Sequence, residues 1–131
     1  MLKICSFNCH SLKSSIPEVR LLCNDHDIVF LQETWLATFE LAVLNTIHKE
    51  FLGMGISAMD SSAGLLRGRP FEGLVILWKR RLQPSINISN IDKRIMRLDV
   101  QTDTGLVCLF NVYLQTDYGS RDCLDDFCTG A

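Results

Sequence analysis

The feature that most constrains the fold is an unbroken apolar run, rich in β-branched and aromatic side chains, within the segment DIVFLQE of residues 27–33. A run of this kind lacks the alternation of a half-exposed strand and is typical of a strand that is buried on both faces. Such a strand lies inside a sheet that is covered on both sides. The segment closes on Glu33, so we expect a carboxylate at the strand's carboxyl end.

A second strand and a helix are predicted before this run. Residues 2–7 are apolar enough for a short strand, which the polar Asn8 follows, and Ser14 or Ser15 can cap the helix. A strand, a helix and a strand within about thirty residues have the length of a βαβ unit, whose ligand sites lie beyond the carboxyl ends of its strands. We therefore expect Asn8 and Glu33 to be neighbours.

The rest of the chain predicts one more helix and then mainly strands. Thr38 can cap the helix, residues 51–59 are expected to be extended, and residues 61–70 are expected to form a loop. Four further strands are predicted at residues 72–78, 86–91, 95–101 and 106–114. We expect these four strands to form an antiparallel meander that joins the first sheet unit, in a chain whose 131 residues allow one core.

Composition excludes several classes of protein. No apolar run approaches the roughly 20 residues that cross a bilayer, and the first residues lack the apolar stretch of a secretory signal, which predicts an intracellular protein without a membrane partner. Most of the six cysteines are expected to be buried apolar side chains rather than disulfide partners. The pairs Cys5/Cys9 and Cys123/Cys128 loosely fit zinc spacing, but no further ligand completes either set.

The formal charge of −2 is unevenly distributed. Residues 67–97 carry +6, from eight of the thirteen Lys and Arg and only two acids, so the rest of the chain carries −8. A basic stretch can contact phosphate groups, yet such stretches are more often solvated faces. The distribution therefore agrees with nucleic-acid binding without establishing it.

Polar side chains at three predicted strand ends are the candidates for chemistry: Asn8, Glu33, and Tyr113 with Asp117 just beyond it. Mg²⁺ is usually held by one or two carboxylates together with waters and phosphate oxygens, so Glu33 is a candidate ligand. From spacing alone the alternative stays open that Glu33 merely ends a strand and that Asn8 satisfies a turn.

Four segments, in this order, resemble motifs of the endonuclease/exonuclease/phosphatase superfamily, as they occur in the apurinic-endonuclease-like domains of non-LTR (LINE-type) retrotransposon polyproteins. These segments are FNCHSL at residues 7–12, DIVFLQETWL at 27–36, GRPFEGLVILW at 68–78 and FNVYLQTD at 110–117. The resemblance implies an α/β (α+β) fold: a partial four-layer αββα sandwich, with the first sheet and its flanking helices present and the C-terminal half missing. Residues 1–131 would be the N-terminal part of a single domain.

The resemblance also implies an activity, metal-dependent hydrolysis of phosphodiester bonds in DNA, with a nuclear location and a reverse transcriptase in the same polyprotein. By position, Glu33 would bind Mg²⁺ or Mn²⁺, Asn8 would orient the phosphate or the metal shell, and Tyr113 would hydrogen-bond the scissile phosphate or a catalytic neighbour. In the family, further acids help hold the metal, while a His/Asp pair activates water for in-line attack.

The sequence departs from the family pattern at Glu72, where Gly is common, at Gln115, where Pro is usual, and at His10, where Asn or Asp is frequent. His10 is interpreted as a polar turn residue, with a role as a ligand or a DNA contact left open. His26 and His48 match no motif and are expected at the surface.

The family's later Gly-Asp-Phe-Asn-like and Ser-Asp-His-like segments, which supply the acid–base residues, have no counterpart in the chain. Asp122, Asp125 and Asp126 precede that region and are expected to face solvent. We therefore expect the isolated chain to be inactive. Two alternatives stay open: a non-catalytic retrotransposon remnant that binds nucleic acid weakly, and a phosphoesterase of the same superfamily that acts on lipid phosphates.

Overall fold

The computed structural model describes residues 1–57, 59–60, 67–68 and 72–114. The longest helix is α1 (Leu12–Asp25), and two 3₁₀ helices span Thr38–Thr46 and Arg80–Ser85. The strands are β1 (Ile4–Asn8), β2 (Ile28–Gln32), β3 (Phe51–Ile56), β4 (Met59–Asp60), β5 (Arg67–Gly68), β6 (Leu74–Lys79), β7 (Ile86–Asp92), β8 (Ile95–Thr102) and β9 (Gly105–Val112).

The first sheet contains four strands in the order β1-β2-β6-β3. Strands β1 and β2 run parallel and are connected by α1, which confirms the predicted βαβ unit. The prediction of a single four-stranded meander is wrong, because β6 lies inside this first sheet, antiparallel to both β2 and β3. Its residues 74–78 are all buried, so β6 needs a layer on each face, as β2 does.

One face of the first sheet is covered by α1 and by the 3₁₀ helix Thr38–Thr46. The core between them includes Val19, Cys23, Val29, Leu31, Leu44, Phe51 and Leu77. The helix starts at Leu12, with Ser11 at its N-cap, so the prediction that Ser14 or Ser15 caps it is wrong. The Ser15 hydroxyl is instead buried and donates to the carbonyl oxygen of Cys9 (2.7 Å), which ties the first turn of the helix to the end of β1.

The other face of the first sheet packs against a second, antiparallel sheet in the order β7-β8-β9. Their shared core is formed by Ile28, Phe30, Leu74, Ile76, Trp78, Met96, Leu98 and Val100. Helices, first sheet and second sheet are thus stacked as successive layers. This arrangement confirms the predicted α/β fold class, and it adds three strands of a second sheet to the first sheet and flanking helices that the sequence predicted.

Strand β9 directs alternate side chains to opposite sides, as any strand does. Leu109, Asn111 and Tyr113 are on the side that meets the first sheet, whereas Leu106 and Phe110 are exposed on the outer side. The pairing of Met96 with Asn111 in the β8-β9 ladder fixes this register. The end of β9 therefore brings Tyr113 towards the carboxyl end of β2.

Candidate active site

The carboxyl ends of β1 and β2 lie side by side because the two strands are parallel. Asn8 is paired with Gln32 in the sheet register, and Glu33 follows directly. The backbone N–H of Ser11 donates to the carbonyl oxygen of Glu33 (3.0 Å), so the loops after the two strands are bonded to each other. The prediction that Asn8 and Glu33 are neighbours is confirmed.

These two loops hold an unusual backbone conformation. His10, Ser11, Glu33 and Trp35 have φ values of 47°, 87°, 52° and 59°, in the left-handed region that side chains other than glycine rarely adopt. Such residues persist only where surrounding contacts determine them, and they are concentrated at functional sites. Four of them within two adjoining loops mark this edge of the sheet as one whose geometry is maintained at a cost in stability.

The carboxylate of Glu33 has two different environments. Its Oε1 accepts a hydrogen bond from the Tyr113 hydroxyl (3.1 Å). Its Oε2 is buried and makes no hydrogen bond of regular geometry among the described residues, although it lies 2.8 Å from Nδ1 of His10, close enough for an ion pair. A buried carboxylate oxygen without a well-formed hydrogen bond costs free energy.

Tyr113 reaches Glu33 from the second sheet. Burial raises the pKa of its hydroxyl, and the hydrogen bond to Glu33 and the charges of Glu33 and Glu72 raise it further, while Arg94 opposes the shift. The phenol therefore stays protonated at neutral pH and keeps its ability to donate. Its backbone N–H donates to the carbonyl oxygen of Arg94 (3.0 Å), which fixes the chain as it leaves β9.

Asn111 connects the two sheets directly below this site. Its side chain is buried, and its Nδ2 donates to the carbonyl oxygens of Leu31 (3.1 Å) and Val75 (2.9 Å). Its Oδ1 accepts a hydrogen bond from Nε2 of Gln32 (2.8 Å). Because Tyr113 is two residues further along the same strand face, Asn111 sets the distance between Tyr113 and Glu33.

Asn8, Glu33 and Tyr113, the three residues predicted as a site, line one open pocket of about 410 Å³. His10, Gln32, Val112 and Leu114 complete its walls. Among the described residues no cluster of three or more His, Cys, Asp and Glu side chains could enclose a metal ion. The pocket therefore has the character of an open site that offers a few protein ligands and leaves room for a substrate.

Sequence reasoning missed the ion pair beside this pocket. Glu72 is buried, and its Oε1 accepts from Nη2 of Arg94 (3.1 Å), while its carbonyl oxygen accepts from the backbone N–H of Trp35 (3.0 Å). The position of Glu72 just before β6 was the available signal, since β6 lies beside β2 in the sheet. Arg94 is in the turn between β7 and β8, and no local pattern connects it with β2.

The described cations of the basic stretch lie on different parts of the fold rather than on one face. Lys79 and Arg81 pair with Asp27 at the opposite end of β2 from Glu33, with contacts of 3.1 and 2.9 Å. Arg97 pairs with Asp99 on β8 (2.9 Å). Of the described cations in this stretch, Arg94 is the one beside the candidate site: it pairs with Glu72, and its charge acts on Tyr113.

Other predicted candidates lie elsewhere. His26 contacts the carbonyl oxygen of Leu22 and His48 contacts Asn24, and both are partly buried rather than fully at the surface. The described cysteines, Cys5, Cys9, Cys23 and Cys108, are free.

The remaining candidates lie outside the described residues: Asp117, Asp122, Asp125, Asp126, Cys123 and Cys128. No helix in the described part of the chain is long and apolar enough to span a membrane.

The chain is thus an α/β protein with two stacked sheets, and its candidate site consists of polar side chains at one edge of these sheets. The Endonuclease/Exonuclease/phosphatase family matches residues 5–125, and the chain belongs to that family. No curated protein sequence matches the chain significantly.

Solved structures share the fold at low sequence identity. The AP endonuclease LMAP from Leishmania major superposes with a TM-score of 0.66 at 14% identity, over 95% of this chain and 44% of its own. The Xenopus laevis APE2 catalytic domain superposes with a TM-score of 0.61 at 15% identity, over 95% of this chain and 49% of its own. The 3' phosphatase NExo from Neisseria, bound to a product DNA hairpin, has a TM-score of 0.58 at 22% identity, over 87% of this chain and 42% of its own. The chain thus spans less than half the length of each.

Proposed function

We propose that the chain supplies the metal-binding side of a divalent-metal-dependent hydrolase that cleaves phosphodiester bonds in DNA, with Glu33 as metal ligand. One observation carries the proposal: Oε2 of Glu33 is buried and makes no hydrogen bond of regular geometry among the described residues, although Nδ1 of His10 lies 2.8 Å away, in a pocket that Asn8 and Tyr113 also line. A bound cation would compensate the charge of that buried oxygen more fully.

The donor set fits Mg²⁺ or Mn²⁺, which favour oxygen ligands and leave several positions to water and phosphate. When bound, the metal would polarise the phosphodiester as a Lewis acid. The Glu33 carboxylate would hold it, and the amide oxygen of Asn8 would orient its shell. Tyr113 donates its single hydroxyl proton to the Glu33 carboxylate and so holds this ligand in place, and it would have to release that bond to donate to a phosphate oxygen in the same pocket.

The proposed substrate is DNA, and the proposed source is a non-LTR retrotransposon whose polyprotein also contains a reverse transcriptase. Support for DNA comes from the AP endonucleases of similar fold and from the NExo structure with its DNA hairpin. Support for the source comes from the four sequence segments described above. Cleavage of genomic DNA implies a nuclear place of action. Genomic sequence downstream of the codon for Ala131 tests the source, because it should encode the acid–base motifs and a reverse transcriptase.

We further propose that residues 1–131 are the N-terminal part of a single catalytic domain and that this chain alone does not cleave DNA. Similar solved chains are more than twice as long as the part that this chain covers, and the sequence contains no counterpart of the acid–base segments. The expected result is no Mg²⁺-dependent nicking of supercoiled plasmid by the 131-residue chain. Robust nicking that Glu33→Gln abolishes would contradict this expectation.

Metal binding provides the decisive test, because it does not require catalysis. Titration of the chain with Mn²⁺, followed by the electron paramagnetic resonance signal of the free ion, should show one bound ion that Mg²⁺ displaces. Glu33→Gln should abolish binding, since the amide lacks the charge that attracts the cation. Glu18→Gln, the same change on the exposed face of α1, should leave binding intact. Equal binding by both variants would refute the role of Glu33.

A further inference from the structure

The imidazole of His10 contacts the Glu33 carboxylate, which a residue that only forms a turn does not need to do. Its imidazole is largely exposed (71%), yet Nδ1 is held 2.8 Å from the buried Oε2 of Glu33. Its backbone has φ of 47°, and its N–H donates to Oδ1 of Asn8 (3.3 Å). The loop thus places an imidazole nitrogen against a carboxylate oxygen, without a hydrogen bond of regular geometry between the two.

We propose that His10 is a second metal ligand beside Glu33 and that it makes the site prefer a first-row transition-metal ion, with Mn²⁺ as the probe, over Mg²⁺. This inference rests on the proposed function, because it assigns a further ligand to the same metal. The new part is that His10 determines which metal ion the site selects.

The separation of the two donor atoms suits coordination. Adjacent ligands of an octahedral ion with bonds of about 2.1 Å are about 3 Å apart. The 2.8 Å between Nδ1 and Oε2 is close to that value, so a shift of a few tenths of an ångström would suffice.

The chemistry of the donors then decides between ions. Mg²⁺ is a hard cation that takes oxygen ligands almost exclusively, whereas imidazole nitrogen suits first-row transition metals. A carboxylate alone discriminates little between Mg²⁺ and Mn²⁺. One imidazole beside it adds affinity for Mn²⁺ and adds almost none for Mg²⁺, so the ratio of the two affinities reports the presence of the nitrogen ligand.

The test compares the 131-residue chain with His10→Asn and with His48→Asn. Asn is among the residues best suited to positive φ, so His10→Asn preserves the loop while it removes the nitrogen ligand. His48 contacts Asn24 and does not line the pocket, so His48→Asn is the matched control. Electron spin echo modulation of bound Mn²⁺ detects a directly coordinated ¹⁴N, and competition titration gives the affinities for Mn²⁺ and Mg²⁺.

The expected result is a ¹⁴N coupling in the wild-type chain and in His48→Asn, and its loss in His10→Asn. Affinity for Mn²⁺ should fall by about tenfold or more in His10→Asn, while affinity for Mg²⁺ changes little. Mn²⁺ that binds through Glu33 without ¹⁴N coupling, or an unchanged selectivity in His10→Asn, would overturn this inference and leave the proposed metal site standing. Absence of Glu33-dependent Mn²⁺ binding would overturn both.

Discussion

Replacement of Asn111 by Leu is expected to destabilise the fold strongly, because this side chain joins the two sheets. Leu has a similar volume but can neither donate to the carbonyl oxygens of Leu31 and Val75 nor accept from Gln32. Two buried hydrogen bonds and one that is partly buried, at about 1 kcal/mol each, predict a loss of about 3 kcal/mol in the free energy of unfolding, within a range of about 2–4 kcal/mol. For a domain of this size that is a large fraction of the total stability.

Urea unfolding of the 131-residue chain at pH 7, followed by circular dichroism, measures this loss. Asn87→Leu is the control, since Asn87 is exposed on β7 in the same sheet and should change the free energy of unfolding by no more than about 0.5 kcal/mol. If Asn111→Leu cost less than about 1 kcal/mol, or no more than Asn87→Leu, the two sheets would not depend on this side chain. The inference that Asn111 positions Tyr113 against Glu33 would then fail as well.

Two further predictions concern parts of the fold away from the pocket. Burial alone would raise the pKa of Asp27, but hydrogen bonds from the backbone of Lys3 and from Lys79, together with the charge of Arg81, lower it overall. Its contribution to stability is therefore present above the unfolded pKa of about 4 and lost as pH falls through the lower folded value. Asp27→Asn should lower the free energy of unfolding by about 1–3 kcal/mol at pH 7, with a difference from wild type that shrinks below pH 4. A difference independent of pH would contradict this account. Gly55→Ala should lower the melting temperature, because the added Cβ would meet the carbonyl oxygen of Leu74 at 2.8 Å, and such overpacking costs about 1–3 kcal/mol. An unchanged melting temperature would show that β3 can shift.

The local sequence determined the first sheet's parallel unit and one side of the candidate site. The apolar run within residues 27–33 does not alternate with polar residues, and this pattern predicts a strand that is buried on both faces. The polar residue at the end of the run is then expected at the sheet edge. Parallel pairing of β1 with β2 then brings Asn8 beside Glu33. Both predictions needed only information from within about thirty residues of chain.

The distribution of the later strands between two sheets was beyond local reasoning. An alternating or apolar strand has the same pattern in whichever sheet it is placed, so the sequence did not indicate that β6 enters the first sheet while β7, β8 and β9 form the second. The start of α1 was also misjudged, because Ser15 donates to Cys9 in the tertiary structure rather than capping the helix.

Only the tertiary structure placed the Tyr113 hydroxyl on the Glu33 carboxylate, across 80 residues of sequence. The same is true of Asn111, which binds a carbonyl oxygen of β2 at the same separation, and of His10, whose turn could have pointed its ring elsewhere. These contacts depend on how two sheets pack face to face and on the backbone conformation of two loops. Local pattern specifies which faces are apolar, whereas the polar atoms that meet at the sheet edge are selected by packing between segments distant in sequence.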